Sequence, residues 1–318
     1  MFYKPALCGL FILKVRYLVL SYQHSFHAGN HADVLKHLTL VAVLERLNIK
    51  TKPFFYLDTH AGEGIYSLES SQALMNAEAD SGVVQLSQTL QDSMNEASKS
   101  SDLIRCYLSI VDKYSEKTQY PGSPMVAASL IRQGDKAFAA ELHPQAFEAL
   151  KQNCRRSGVK AQHRDGFDML NAMLPPTPNR GAVLIDPPYE SKTEYQDVID
   201  ELSKAVKRWP IGIYMVWYPL LSATRIDRKS DEIVDNPKAT LSEKMLSHLA
   251  SLNVKSVLNV QFCNEKPSEN VGMYGSGMCI LNPPWQLEQD LNAIIETLQQ
   301  SLVKDGNQLS KVQWLKTE

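Results

Sequence analysis

Short apolar runs alternate with helical stretches along most of this 318-residue chain, and few folds accept that order. Pro53–Leu57, Ala137–Leu142, Val159–His163, Ala182–Ile185, Ile211–Trp217, Val254–Phe262 and Gly277–Leu281 are each apolar and bounded by turn residues, the pattern of strands. Between most of them lie stretches of helical composition: Pro144–Arg156, Glu194–Trp209, Leu241–Leu252 and Trp285–Leu302. Ahead of the first strand, Asp33–Asn48 carries Val34, Leu35, Leu38, Val41, Ala42 and Leu47 on a helical stripe. Strands that alternate with helices predict an α/β fold, a mainly parallel sheet covered on both faces. Ligands in such folds bind beyond the carboxyl ends of the strands, so the residues just after each strand carry the functional information.

Charge narrows the function class. Lys+Arg 33 against Asp+Glu 35 leaves a net charge of −2, so no global basic field marks a histone-like or arm-type nucleic-acid binder. An enzyme that grips nucleic acid through one local patch is still admitted. Residues 1–60 hold seven Lys/Arg and three Asp/Glu, whereas residues 61–120 hold four and nine. Two segments read as insertions: about 68–119, helical and acidic, and about 220–240, polar with Pro237. The five cysteines (Cys8, Cys106, Cys154, Cys263, Cys279) are scattered and never spaced C-x-x-C, which argues against a disulfide framework or thiolate zinc and fits a reducing cytoplasm. The apolar run Ala6–Leu13 is too short to span a membrane, is followed by Lys14 and Arg16, and has no small-residue cleavage site after it. Residues 1–19 are expected to form an extension outside the fold.

The first strand leads into Asp58-Thr59-His60-Ala61-Gly62-Glu63-Gly64, an acid followed by glycines that let backbone approach a ligand. The loop lacks G-x-x-x-x-G-K-[ST], which disfavours a nucleoside triphosphate. Glu141 ends the second strand, in the place of the acid that binds a ribose in nucleoside-binding α/β folds. Asp165-Gly166 follows the third. The fourth strand runs into Asp186-Pro187-Pro188-Tyr189, where two prolines stiffen the chain and donate no hydrogen bond. An exocyclic amine such as adenine N6 needs two acceptors, which Asp186 and the Pro187 carbonyl supply, and Tyr189 offers a ring to stack on the base.

A second loop, Asn282-Pro283-Pro284-Trp285, is chemically similar, but Asn282 carries no charge and cannot take up a proton. It reads as a turn or a substrate rim. His24, His27, His31 and His37 crowd into one stretch, yet Gly29 and Asn30 interrupt the His27/His31 spacing and no H-E-x-x-H completes a ligand set. No metal is expected. A polar loop in which Tyr22 and Lys36 contact base and phosphate fits the local positive charge better.

Together these residues resemble the class I S-adenosylmethionine-dependent methyltransferases of the amino-methylating, D-P-P-Y kind. The run from Ser21 to His37, with Asp58–Gly62, Tyr120-Pro121-Gly122-Ser123-Pro124, Glu141-Leu142-His143-Pro144 and Asp186–Tyr189, more closely resembles the RlmJ family, which methylates N6 of one adenine in 23S ribosomal RNA. The likeness spans about residue 20 to the carboxyl terminus, and the polar stretch around 224–240 is its main departure. It implies a Rossmann-like class I fold with a seven-stranded sheet over residues 20–318 and a small helical subdomain at about 68–119. It also implies S-adenosylmethionine as cofactor, contacted by His37, His60, Ser123, Glu141, Asp165 and Gly166. Asp186 would be the catalytic acceptor, and Tyr22 would touch the target RNA. His24 and Lys36, from the same block, join Pro187 and Tyr189 as further expected substrate contacts. A cytoplasmic monomer acting on 23S ribosomal RNA, with no membrane partner, follows from the same likeness. A DNA adenine-N6 methyltransferase, or a nucleic-acid-binding protein involved in use of external DNA, is the alternative, because D-P-P-Y alone does not choose between RNA and DNA.

Overall fold

Alternation of side chains along each strand divides the molecule into two apolar layers. The structure, a computed structural model, describes residues 27–70, 78–92, 102–227, 230–303 and 305–317. In Gly181–Ile185 (β6), Ala182 and Leu184 face one layer while Val183 and Ile185 face the other, the period of two that a doubly covered sheet requires. Five strands run parallel: Val159–His163 (β5), Lys136–Glu141 (β4), Phe55–Asp58 (β1), β6 and Ile213–Leu221 (β7), side by side in that order. Met273–Leu281 (β11), Val257–Cys263 (β10) and Lys311–Lys316 (β12) continue the sheet in antiparallel pairings.

Among the described residues the sheet therefore has eight strands, one more than expected. The extra one is β12, whose polar alternation and half-exposed Trp314 hide it as an edge strand in the sequence. Two small antiparallel pairs stand apart, Ile65–Ser67 (β2) with Gln119–Pro121 (β3), and Thr224–Ile226 (β8) with Ile233–Asp235 (β9). The strand expected to end at Trp217 runs on to Leu221 through Pro219. There β6 has already ended opposite Val216, so one side of β7 is unpaired and tolerates a proline.

Helix His31–Asn48 (α1) is not the amphipathic surface helix its stripe suggests. Every residue from Ala32 to Leu44 is buried, including Asp33, Lys36 and His37, because the helix lies under further helices rather than under water. Those helices come from the acidic stretch: Gln85–Asp92 (α2), entered through a π-turn at Asp80–Val84, and Asp102–Ser115 (α3). Their buried side chains (Val83, Leu86, Ile104, Tyr107, Ile110) belong to the same apolar layer as α1 and the sheet. Ser123–Ala128 (α4), Pro144–Asn153 (α5) and Leu287–Leu302 (α9) also pack on that layer. Gly166–Met173 (α6), Thr193–Arg208 (α7) and Leu241–Ser251 (α8) cover the opposite face. No described helix is long and apolar enough to cross a membrane.

Candidate active site

Beyond the carboxyl ends of β1, β4, β5 and β6 opens a cavity of about 960 Å³. Its floor is made by the loops that follow those strands and its wall by the first turns of α1. Expected site residues His37, His60, Ser123, Glu141, Asp165, Gly166, Asp186, Pro187, Tyr189 and Lys36 all line it. Tyr22 and His24 lie outside the described residues, as do residues 1–19.

The loop after β1 is held from two sides. The Glu141 carboxylate accepts the Gly62 N–H at 2.9 Å and the His143 N–H at 2.7 Å, so the ends of β1 and β4 are stapled by one side chain. Thr59 donates its N–H and its hydroxyl to the Leu184 carbonyl, both at 3.0 Å, tying the loop to β6. Gly62 adopts a φ of +61°, a conformation that costs glycine nothing. Asp165 caps α6, its Oδ1 accepting the Phe167 and Asp168 N–H groups at 2.9 and 3.0 Å. At Gly166 a Cβ would stand 1.9 Å from the Thr59 carbonyl oxygen, so only glycine lets these two loops close together.

Asp58 is fully buried beneath this loop. Burial pushes its pKa up to about 6; hydrogen bonding from Ser123 and the Lys36 charge pull the other way. The His60 imidazole packs edge-on against Phe167, at 5.2 Å between ring centres. Its burial lowers its pKa, which favours the neutral ring. His37 is hydrogen-bonded to the Tyr120 hydroxyl at 2.8 Å, and that hydroxyl lies 2.9 Å from the one on Tyr107. The acidic-stretch helix α3 thus braces a cavity-lining histidine through a chain of phenols.

Lys36 corrects its expected role. It does not reach outward to a phosphate: it is 4% exposed, and its Nζ donates to Asp186 Oδ2 at 2.6 Å and Asp33 Oδ1 at 2.8 Å. Burial alone would lower the ammonium pKa, but the two carboxylates outweigh that and hold it well above the ordinary lysine value. The lysine is therefore a fixed cation beside the acid of the proline loop. The histidine-rich block around it is architectural as well. Asn30 Oδ1 caps α1 through the N–H groups of Ala32 and Asp33, and Asp33 Oδ2 accepts the Gly29 N–H at 2.9 Å. His27 pairs with Glu78 at 2.9 Å, while burial lowers the His31 pKa to about 4. No group of three metal-binding side chains gathers among the described residues.

Tyr189 takes a φ of +51°, and its buried ring packs 4.4 Å from Tyr195 while its hydroxyl donates to the Trp217 carbonyl at 2.9 Å. It meets the cavity as a ring edge in an aromatic wall rather than as a free platform. Lys238, which the sequence does not single out, reaches from the polar 224–240 stretch and donates to the Tyr189 and Glu190 carbonyls at 3.0 and 3.3 Å. Nothing local to Lys238 announces this; its partners lie almost fifty residues away. The second proline loop is absent from the cavity. Because β11 is antiparallel to β7, Asn282–Trp285 emerges at the opposite end of the sheet, so it is a turn and not a substrate rim.

The family model described as "Ribosomal RNA large subunit methyltransferase D, RlmJ" matches residues 51–316. "Ribosomal RNA large subunit methyltransferase J" of Escherichia coli (strain K12) is 38% identical over 304 residues, which cover 94% of this chain and all of that protein. The protein of the same description from Haemophilus influenzae is 35% identical over 305 residues, with the same coverage. Among solved structures, protein LPL1258 from Legionella pneumophila superposes with a TM-score of 0.75 at 31% identity, covering 92% of this chain and 99% of that one.

Proposed function

Because this chain belongs to the RlmJ family of large-subunit ribosomal RNA methyltransferases, we propose that it transfers a methyl group from S-adenosylmethionine to N6 of one adenine in 23S ribosomal RNA. The observation that carries the reading is the Asp186–Tyr189 loop. It opens onto a cavity whose other walls are a glycine-bearing loop carrying Glu63 and the acids Glu141 and Asp165 beyond two neighbouring strand ends.

The residues suit the cofactor. Glu63, Glu141 and Asp165 offer carboxylates to a cation and to ribose hydroxyls, Gly62 and Gly166 admit close backbone approach, and Phe167 and Leu142 give apolar surface for a purine. When bound, S-adenosylmethionine supplies a methyl group on a cationic sulfur, whose charge the surrounding carboxylates favour. His37, His60 and Ser123 complete the cofactor wall.

The adenine amino nitrogen is a poor nucleophile because its lone pair is delocalised into the ring. Hydrogen bonds from its two N–H groups to Asp186 and to the Pro187 carbonyl favour a more pyramidal, more reactive nitrogen and fix its line of attack. Lys36 occupies Oδ2 of Asp186, which assigns the amino N–H to Oδ1. The proton released on transfer passes to Asp186, the nearest acceptor. Lys36 thus acts on the reaction through Asp186, and Lys238 holds the carbonyls just beyond it in place. The target base must leave its stack to reach the cavity, at a cost of a few kcal/mol, and Tyr22 and His24 are assigned to that RNA. The protein is taken to work as a monomer in the cytoplasm.

Tritiated methyl transfer to protein-free RNA and to DNA tests the reading. Label in N6-methyladenosine of large-subunit RNA is expected, whereas label in DNA alone or in neither would overturn it. Asp186→Asn is expected to lower kcat at least about a hundredfold while leaving cofactor affinity within about twofold, by calorimetric titration. Near-normal turnover would remove Asp186 from the chemistry.

A further inference from the structure

The second proline loop lies far from the reaction, and its surroundings suit a different task. Leu281, at the end of β11, is level with Tyr214 and Val257, near the first residues of β7 and β10. Asn282 braces the turn here. Its Nδ2 donates to the Pro210 and Gly212 carbonyls at 2.9 and 2.8 Å, and its Oδ1 accepts the Lys255 N–H at 3.1 Å. The loop so held presents Trp285 with 80% of its surface exposed.

This end of the sheet is basic along its length. Each parallel strand is entered through a cation: Arg156 before β5, Lys136 opening β4, Lys52 before β1, Arg180 before β6, and Lys207 with Arg208 before β7. In the antiparallel half, Lys255 precedes β10 and Lys316 closes β12. Cations at helix carboxyl ends are common, because they complement the helix dipole, and that accounts for Lys207, Arg208 and Arg156. Helix ends also account for Arg180, which donates to the Leu47 carbonyl in the last turn of α1, and for Lys316, which donates to the Leu252 carbonyl just past α8, but not for Lys52, Lys136 or Lys255, which sit in turns or at strand starts. Among the described carboxylates here, Asp135 is held by Arg132 and Asp290 by Arg46. Eight strands at about 4.8 Å spacing make this edge roughly 34 Å long. A chain of net charge −2 exposes Lys52, Lys136, Arg156, Lys207 and Lys255 along this edge, together with an exposed indole.

We propose that this edge is a second RNA-binding surface, on which the cations meet phosphates and Trp285 stacks on an unpaired base of a substrate segment remote from the target adenine. The inference rests on the RNA substrate proposed above. Arg180 and Asp186 flank β6, about 20 Å apart along the strand, so the RNA on this edge cannot be the nucleotides in the cavity. Exposed cations spread along the edge suit a polyanion, and an exposed indole among them suits a nucleobase.

The test compares wild type with the variant carrying Lys52→Gln, Lys136→Gln, Arg156→Gln and Lys207→Gln, all exposed side chains outside the cavity. Filter binding to a protein-free large-subunit RNA transcript, without cofactor, is expected to weaken about tenfold or more. The slope of log K against log salt should shrink by about three, from roughly 0.7–0.9 per lost phosphate contact. Trp285→Ala should weaken binding several-fold and abolish the quenching of exposed-tryptophan emission by that RNA. In methyl transfer, the fourfold variant should raise KM for the whole transcript with kcat unchanged. On the shortest fragment that wild type still methylates, both constants should be unaltered. Wild-type affinity and salt slope in the variant would overturn the proposal. Failure of wild type to methylate any RNA would instead sink the substrate reading, because the binding comparison requires no chemistry.

Discussion

A lysine placed alone in a protein interior sheds its proton; Lys36 keeps it because Asp33, one turn earlier, and Asp186, from the far proline loop, close around it. The Asp33 half of that arrangement is visible in the sequence as an i,i+3 pair, and the Asp186 half is not, because 150 residues separate the partners. The acids that end the strands are legible for the opposite reason: each is marked by the strand immediately before it. Asp58 shows what such a position costs. Its folded pKa of about 6 lies above the ordinary value of 3.8, so between those pH values the folded state holds more proton than the unfolded one. Stability therefore falls as pH rises from about 4 to 6, and the full penalty remains above that. At about 1.4 kcal/mol for each tenfold change in proton affinity, Asp58→Asn should stabilise the protein by up to about 3 kcal/mol at pH 7, with the gain vanishing near pH 4. Denaturant melts across that range check it; a pH-independent gain would mean that burial of the charge is not the cause.

At the scale of elements, the two proline loops show how far local chemistry reaches. Asp186–Tyr189 and Asn282–Trp285 read almost alike, yet one follows a parallel strand and the other an antiparallel one, so the sheet sends them to opposite ends. Strand direction is set by pairing, which no local pattern records. The same limit explains β12: Lys311–Lys316 lacks a continuous apolar run, and only its partner β10 makes it a strand. The longer helices are more legible, with ends displaced by a few residues at most, because their spacing is intrinsic to the chain, whereas the short Ser123–Ala128 and Gly166–Met173 are not singled out by the sequence. Asn282 suits its turn in two ways, through three hydrogen bonds and a φ of +51° that an asparagine tolerates. Asn282→Ala should cost about 2–3 kcal/mol of stability, seen as a lowered thermal midpoint, and Asn282→Gly less, since glycine recovers the backbone part. Cofactor affinity should be untouched in both, and a shift there would contradict the loop's distance from the cavity.

For the molecule as a whole, one cavity gathers the ends of the five parallel strands and the first turns of α1, so a ligand seated there links elements from most of the chain. Cofactor at about a hundredfold above its Kd should raise unfolding free energy by about 2.7 kcal/mol. Amide exchange should slow at 59–64, 141–143 and 186–190 and stay constant at 282–285. Equal slowing at both proline loops would contradict the separation of the two ends. That separation also polarises the molecule electrically. Glu63, Glu141, Asp165, Asp186 and Glu194 line the crevice where the parallel strands finish, and Lys52, Lys136, Arg156 and Lys207 stand exposed where they start, so charge is uneven along the sheet. Near a long anion at low ionic strength such a body experiences a torque before contact. Its first collisions should then be oriented with the crevice turned away, so that capture comes before reorientation and the adenine is found only in a second, slower event.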